Sequence, residues 1–239
     1  MPRRITPERI VTEAGAELAA VFGPALRTTV LYGSAESPDF RPDRSDVNLA
    51  VVADPVSFAH LQHVAQWYAR WRSERVAAPL LLNSSDLTRS LDVFPLEILD
   101  IQARHRTLAG EELFTGLVVA AGNVRLECER EAKGKLVRLR ALYLELAGST
   151  VEIRELMIDS RKTFLHVMRG LLFLRTHKWH SREAEVVPAF TQLFGREMPV
   201  LAALTSHRDP GAIESRFGDY LAEIEVLAGL ADTAGTGSR

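Results

Sequence analysis

From Cys128 onward the apolar residues of this chain recur every three or four positions, and the short apolar runs of strand do not return. Cys128, Ala132, Leu136, Leu139, Tyr143 and Leu146 trace one long helix, broken by Gly148-Ser149. Ile153, Met157, Phe164, Val167, Leu171 and Leu174 trace the next, and shorter helical patterns cover Ala184 to Leu193 and Ile213 to Leu230. Any sheet must therefore come from the residues before Gly116, and the second half reads as a helical bundle. The expected domains are 1–115, mixed α/β, and 116–232, all helical. A Gly/Ser/Thr-rich tail, 233–239, is expected to be disordered.

The first half alternates. Thr6-Pro7 is a helix start, a capping hydroxyl followed by proline at the first helical position. Ile10, Ala14, Leu18 and Val21 then form one face before Gly23-Pro24. Thr28 to Tyr32 reads as a buried strand running into Gly33-Ser34, and Ala35 to Ser45 as a loop. Val47 to Val52 is a second strand. Asp54-Pro55 is expected to cap a helix whose face includes Phe58, Leu61, Ala65 and Tyr68, with Trp67 and Trp71 as packing residues. Pro79 to Leu82 is a third strand, ended by Asn83-Ser84-Ser85-Asp86. One or two further elements are expected between Leu96 and Leu108.

A formal net charge of −2 gives no basic field, which argues against nucleic acid as a partner. The single cysteine, Cys128, excludes an internal disulfide. No apolar run is long enough to cross a bilayer, and the N-terminus leads into an amphipathic helix rather than a signal-peptide core. A soluble, cytoplasmic protein that does not engage membranes is expected. Its oligomeric state, a homodimer included, is open.

Twelve residues after Ser34 comes Asp46-Val47-Asn48 at the head of an apolar strand, preceded by Ser45. A Gly-Ser turn, a loop and Asp-x-Asp on a strand are the signature of the nucleotidyltransferase superfamily, which residues 5 to 115 resemble. With its helical second half, the chain is similar to the kanamycin nucleotidyltransferase group and to minimal nucleotidyltransferase domains. The resemblance implies an α/β nucleotidyltransferase-type mixed sheet with helices, followed by an all-α bundle. It also implies a nucleotide or other phosphate ligand near Gly33, Ser34 and Ser45. Residues i and i+2 of a strand share a face, so two carboxylates there can hold Mg²⁺, and a third completes a two-metal site. Here the second position is Asn48, a neutral amide that adds no charge toward the ion. Asp46 and Asn48 are the expected metal ligands, with Mg²⁺ weakly held or absent. The strand Pro79 to Leu82 carries no acid. If Leu96 to Asp100 is instead the neighbouring strand, Glu97 joins Asp46 as a catalytic carboxylate. Two readings stay open: a nucleotide sensor or regulatory module with a degraded metal site, and an active transferase moving a nucleoside monophosphate to a hydroxyl.

Three other constellations have plainer explanations. In the kanamycin group a bundle glutamate acts as general base, and Glu127, Glu129 and Glu131 fall in a comparable region. No motif singles one out, and a solvated helix face explains them. Arg161 and His166 fit the Arg-x₄-His spacing of HEPN ribonucleases, a remote alternative in which the histidine handles protons and the arginine a phosphate. His177, Trp179 and His180 lie near a helix end, where the helix dipole is reason enough for histidine.

Overall fold

The computed structural model describes residues 7–36, 40, 45–89, 91–146, 148–206 and 211–234. Thr6, most of the loop 37–44 and residues 235–239 lie outside the described residues, and with them the capping role of Thr6 and most of the expected tail, whose first residue, Thr233, is instead the last of a helix. The chain divides into two compact units, Met1–Val119 and Ala120–Arg239. Leu117 and Val119 pack into the core of the first, so the division follows the Gly116 change of pattern by a few residues.

The first unit begins with α1 (Pro7–Arg9), a wider π-turn at Ile10–Gly15, and α2 (Ala16–Phe22). Strands β1 (Leu26–Tyr32) and β2 (Asn48–Ala53) follow, then α3 (Phe58–Trp71), β3 (Leu80–Leu82), α4 (Ser84–Arg89), α5 (Pro95–Ala103) and β4 (His105–Gly110). The sheet order is β3-β2-β1-β4. β1 lies antiparallel to both β2 and β4, while β2 and β3 are parallel, with α3 as their crossover. This is the mixed sheet that the alternation of the first half implies.

Strand periodicity divides the core between two faces. Leu31, Leu49, Val51 and Ala53 pack with Leu18, Phe22, Val64, Trp67 and Trp71 against α2 and α3. Val30, Tyr32, Ala50 and Val52 point the other way, toward Ile98 and Ile101 of α5 and Phe114. Two local expectations change. The buried face of α3 is Val64, Trp67 and Trp71, whereas Phe58 is 74% exposed and Leu61 half exposed. Its cap is Ser57, whose hydroxyl accepts from His60 N–H while the His60 ring accepts from Ser57 N–H. Asp54 instead accepts from Ser84 at the head of α4, so Asn83 to Asp86 starts a helix as well as ending β3.

The correction that bears on the site is Leu96 to Asp100, which is the body of helix α5 and not a strand. Pro95 occupies the first turn, where its fixed φ suits a helix and its missing N–H costs nothing. Leu96, Ile98, Leu99 and Ile101 are all buried, and so continuous a run fits a short buried helix as well as a strand.

The second unit is helical throughout its described residues: α6 (Ala121–Glu145), α7 (Thr150–Thr176), α8 (Glu183–Phe194), α9 (Pro199–Thr205) and α10 (Phe217–Thr233). Of the periodic residues, Cys128, Ala132, Leu136 and Leu139 of α6 and Ile153, Met157, Phe164, Val167 and Leu171 of α7 are core, with Val186, Phe190, Tyr220, Ile224 and Leu227, whereas Tyr143 is 42% exposed. Helix α9 was not apparent in the sequence. The buried Glu223 of α10 caps it, accepting the N–H groups of Val200 at 2.6 Å and Leu201 at 2.9 Å. No helix among the described residues is long and apolar enough to cross a membrane.

Candidate functional site

Tyr32 ends β1, and the chain turns at once through Gly33, whose φ is +75°. Only glycine adopts that conformation freely. A Cβ at Gly33 would stand 3.1 Å from Asn48 Nδ2 and 3.9 Å from Asp100 Oδ2, so the turn, the amide and the carboxylate face one small space. Asn48 is there because it opens β2 directly opposite Tyr32 in the antiparallel register. Asp100 is there because α5 packs across that face of the sheet.

The helical state of α5 decides what its two acids do. Residues three apart on a helix share a side, so Glu97 and Asp100 both face the end of β1; on a strand they would point apart. Tyr32 donates its hydroxyl to Glu97 Oε1 at 2.5 Å. Burial, then the negative charges of Glu97 and Asp100, push the Tyr32 hydroxyl well above its ordinary range, so it stays protonated and keeps donating. Glu97 is thus held by the tyrosine, and Asp100 is the α5 carboxylate beside the Gly33 turn.

Ser34 donates its hydroxyl to the backbone carbonyl of Asp46 at 3.1 Å, tying the turn to the strand across the loop. Asp46 lies just ahead of β2. Its carboxylate oxygen Oδ1 accepts from Arg75 at 2.7 Å, and Arg75 Nε donates to the carbonyl of Ser45 at 3.2 Å. Arg75 is missed by any motif search. Its backbone is left-handed, φ +60°, at the end of the short 3₁₀ turn after α3. Its carbonyl accepts from Val47 N–H at 2.9 Å, and Val76 bridges Val47 in parallel. A reader who paired β3 with β2 in parallel could have placed the residue before Val76 near the residue before Val47. That topological step was the only available signal.

The superfamily resemblance implies a divalent metal held by paired carboxylates, and the side chains present do not match that requirement. Asp46 is ion-paired with Arg75, position 48 supplies an amide, and Glu97 accepts from Tyr32. Among the described residues no three or more of His, Cys, Asp and Glu come together as metal ligands. This donor set does not fit a two-carboxylate Mg²⁺ site.

Next to Tyr32 in the β1–β4 register, His105 opens β4, and Glu112 gathers His105 Nε2, the Thr107 hydroxyl and the N–H groups of Phe114 and Thr115. Desolvation opposes its charge, but these hydrogen bonds outweigh it and hold the carboxyl down at about 2. The cluster clasps the first half of β4 to the turn that follows the strand.

Of the bundle residues singled out in sequence, His166 and Trp179 meet, while Arg161 makes its bond elsewhere. Arg161 and His166, five apart on α7, point about 140° apart around its axis. Arg161 donates to the Ile158 carbonyl at 3.0 Å, whereas His166 meets the Trp179 ring edge-on at 5.6 Å. Glu129 accepts from Arg125 and Lys133, both at 2.7 Å, and Glu127 lies 3.7 Å from Arg130, but with side chains 24% and 12% exposed these two glutamates are part-buried rather than the solvated face expected. His177 closes α7 in a left-handed conformation, and the His180 carbonyl accepts from Arg169 at 2.8 Å.

No family model matches the chain, and no curated protein matches it. Its fold does match solved structures. One is the spectinomycin adenyltransferase of Enterococcus faecialis, solved with ATP and spectinomycin, at 12% identity and a TM-score of 0.62, over 95% of this chain and all of that one. The fold is therefore nucleotidyltransferase-like: a four-stranded mixed sheet with helices, followed by a helical region.

Proposed function

We propose that the first unit binds a nucleotide or another phosphate ligand at the Gly33-Ser34 turn and serves as a sensor or regulatory module rather than a transferase. The observation that carries this reading is Asn48. Its amide nitrogen faces the turn, 3.1 Å from the Gly33 Cβ position, where a hydrogen-bond donor meets a phosphate oxygen and a carboxylate would repel it. The positive-φ glycine leaves the backbone bare for close approach. The adenyltransferase of the same fold was solved with ATP, which makes ATP the first ligand to try. Calorimetric titration with ATP, in EDTA and in Mn²⁺, together with a pyrophosphate-release assay, tests the reading. Saturable ATP binding, with no pyrophosphate released when spectinomycin is supplied as a hydroxyl acceptor, supports it. Absence of binding by any nucleoside triphosphate or inorganic phosphate sinks it.

One observation favours the second reading. Asp100 faces the same space, where a carboxylate could take the proton of an attacking hydroxyl. That oxygen would bond to the α-phosphorus as the bridge to the β-phosphate breaks and pyrophosphate leaves. Steady pyrophosphate release that Asp100→Asn abolishes would make the transferase the first choice.

A further inference from the structure

We infer that Arg75 is the resident cation of the candidate site, a guanidinium built into the chain where the fold's relatives would need a divalent metal. Three features bear on this residue. The strand position that should supply a second carboxylate supplies the Asn48 amide, so the charge that would draw a metal is reduced. Asp46, the acid that remains in the motif, is paired at 2.7 Å with the Arg75 guanidinium. The backbone at Arg75 adopts φ +60°, a conformation that non-glycine residues avoid at a cost, and it keeps that conformation while its carbonyl accepts from Val47 N–H just ahead of β2. The side chain is fixed to the motif at two points, Asp46 through the carboxylate and Ser45 through the carbonyl. An arginine held this way carries one fixed positive charge and planar donors suited to phosphate oxygens. The site therefore receives an anionic ligand without a metal ion, and its cation cannot be removed by a chelator.

The ligand half of this inference rests on the phosphate-binding reading above, but the cation half does not, and the test separates them. Arg75→Gly removes the guanidinium and keeps the left-handed backbone, because glycine occupies that conformation without strain. The first probe is Mn²⁺ alone, followed by electron paramagnetic resonance. With the Arg75 guanidinium gone from Asp46, the variant should bind Mn²⁺ about tenfold more tightly than the wild type. Equal Mn²⁺ affinity in the two proteins overturns the assignment, whatever nucleotides do. The second probe is ATP. In EDTA the wild type should bind it as well as in Mn²⁺, within about twofold, while the variant loses about tenfold in EDTA and recovers when Mn²⁺ is added. Wild-type ATP binding that requires Mn²⁺ also overturns the assignment. If neither protein binds ATP but the variant gains Mn²⁺, the nucleotide reading falls and the resident cation stands.

Discussion

The two faces of the sheet use the same strands for different ends. On the α2–α3 face, apolar side chains run from Val47, just ahead of β2, to Ala53 at its end, and the indole of Trp67 is buried with its N–H on the Ala14 carbonyl at 3.0 Å. On the α5 face Val30, Tyr32, Ala50 and Val52 are core, but at its end the Tyr32 hydroxyl donates to Glu97, and Asn48 shares the space at the Gly33 turn with Asp100. Because strand residues alternate, each residue of β1 and β2 belongs to one face only. The first face can be packed for stability alone, and polar groups can collect at one end of the second without interrupting the other.

The largest effect should come from breaking the packed face. Trp67→Ala should destabilise the protein by about 3–5 kcal/mol, read from chemical denaturation, while the folded fraction keeps its ATP affinity. A matching loss of affinity would show that the faces are not separable. On the other face, Tyr32→Phe deletes the donor to Glu97 and leaves that carboxylate short of a partner. A cost of about 1–3 kcal/mol is expected, and ATP binding should weaken as well, since Glu97 and Asp100 share one side of α5. Stability lost with affinity unchanged would separate Tyr32 from the site.

Asn48→Asp tests the strand end itself. It should tighten Mn²⁺ binding by about tenfold and weaken ATP binding in EDTA, with a change in stability below about 1 kcal/mol, because position 48 lies at the rim of the core. Unchanged Mn²⁺ affinity would mean that a second carboxylate does not face Asp46. The smallest effect belongs to Glu112. Its folded-state value of about 2 lies below the ordinary value of about 4.3, so its contribution is complete above that ordinary value and is lost as pH falls from there toward 2. Urea midpoints measured from pH 6 to pH 2 should fall more steeply in wild type than in Glu112→Gln. Parallel curves would rule out the clasp as an acid-sensitive element.

Much of the fold could be read from periodicity. Three strands and the bundle's long helices stand out because each repeats its own period over enough residues. The Gly33-Ser34 turn and Asn48 were legible as a motif, and the structure sets Gly33 and Asn48 side by side. What was hidden depended on contacts distant in sequence. Leu96 to Ile101 is apolar enough for either state, and only its packing against Val30, Ala50 and Val52 makes it a helix. Arg75 reaches Asp46 through the parallel pairing of Val47 with Val76, which no local pattern records. Glu97 was named for its charge, yet Tyr32 takes it up, and Asp100 lies nearer the turn.

The lone thiol adds a use for the molecule's own composition. Cys128 sits inside α6, its sulfur 3.7 Å from the Val167 carbonyl, and burial followed by the Glu127 charge drives it up to about 12. A thiol so placed stays protonated and shielded, and becomes available to a labelling reagent only when the helices around it part. Two of the three tryptophans, Trp67 and Trp71, lie in the other unit. Labelling rate then clocks the opening of the bundle while tryptophan emission mainly follows the sheet. One unmodified sample can thus report whether the halves melt together or in turn.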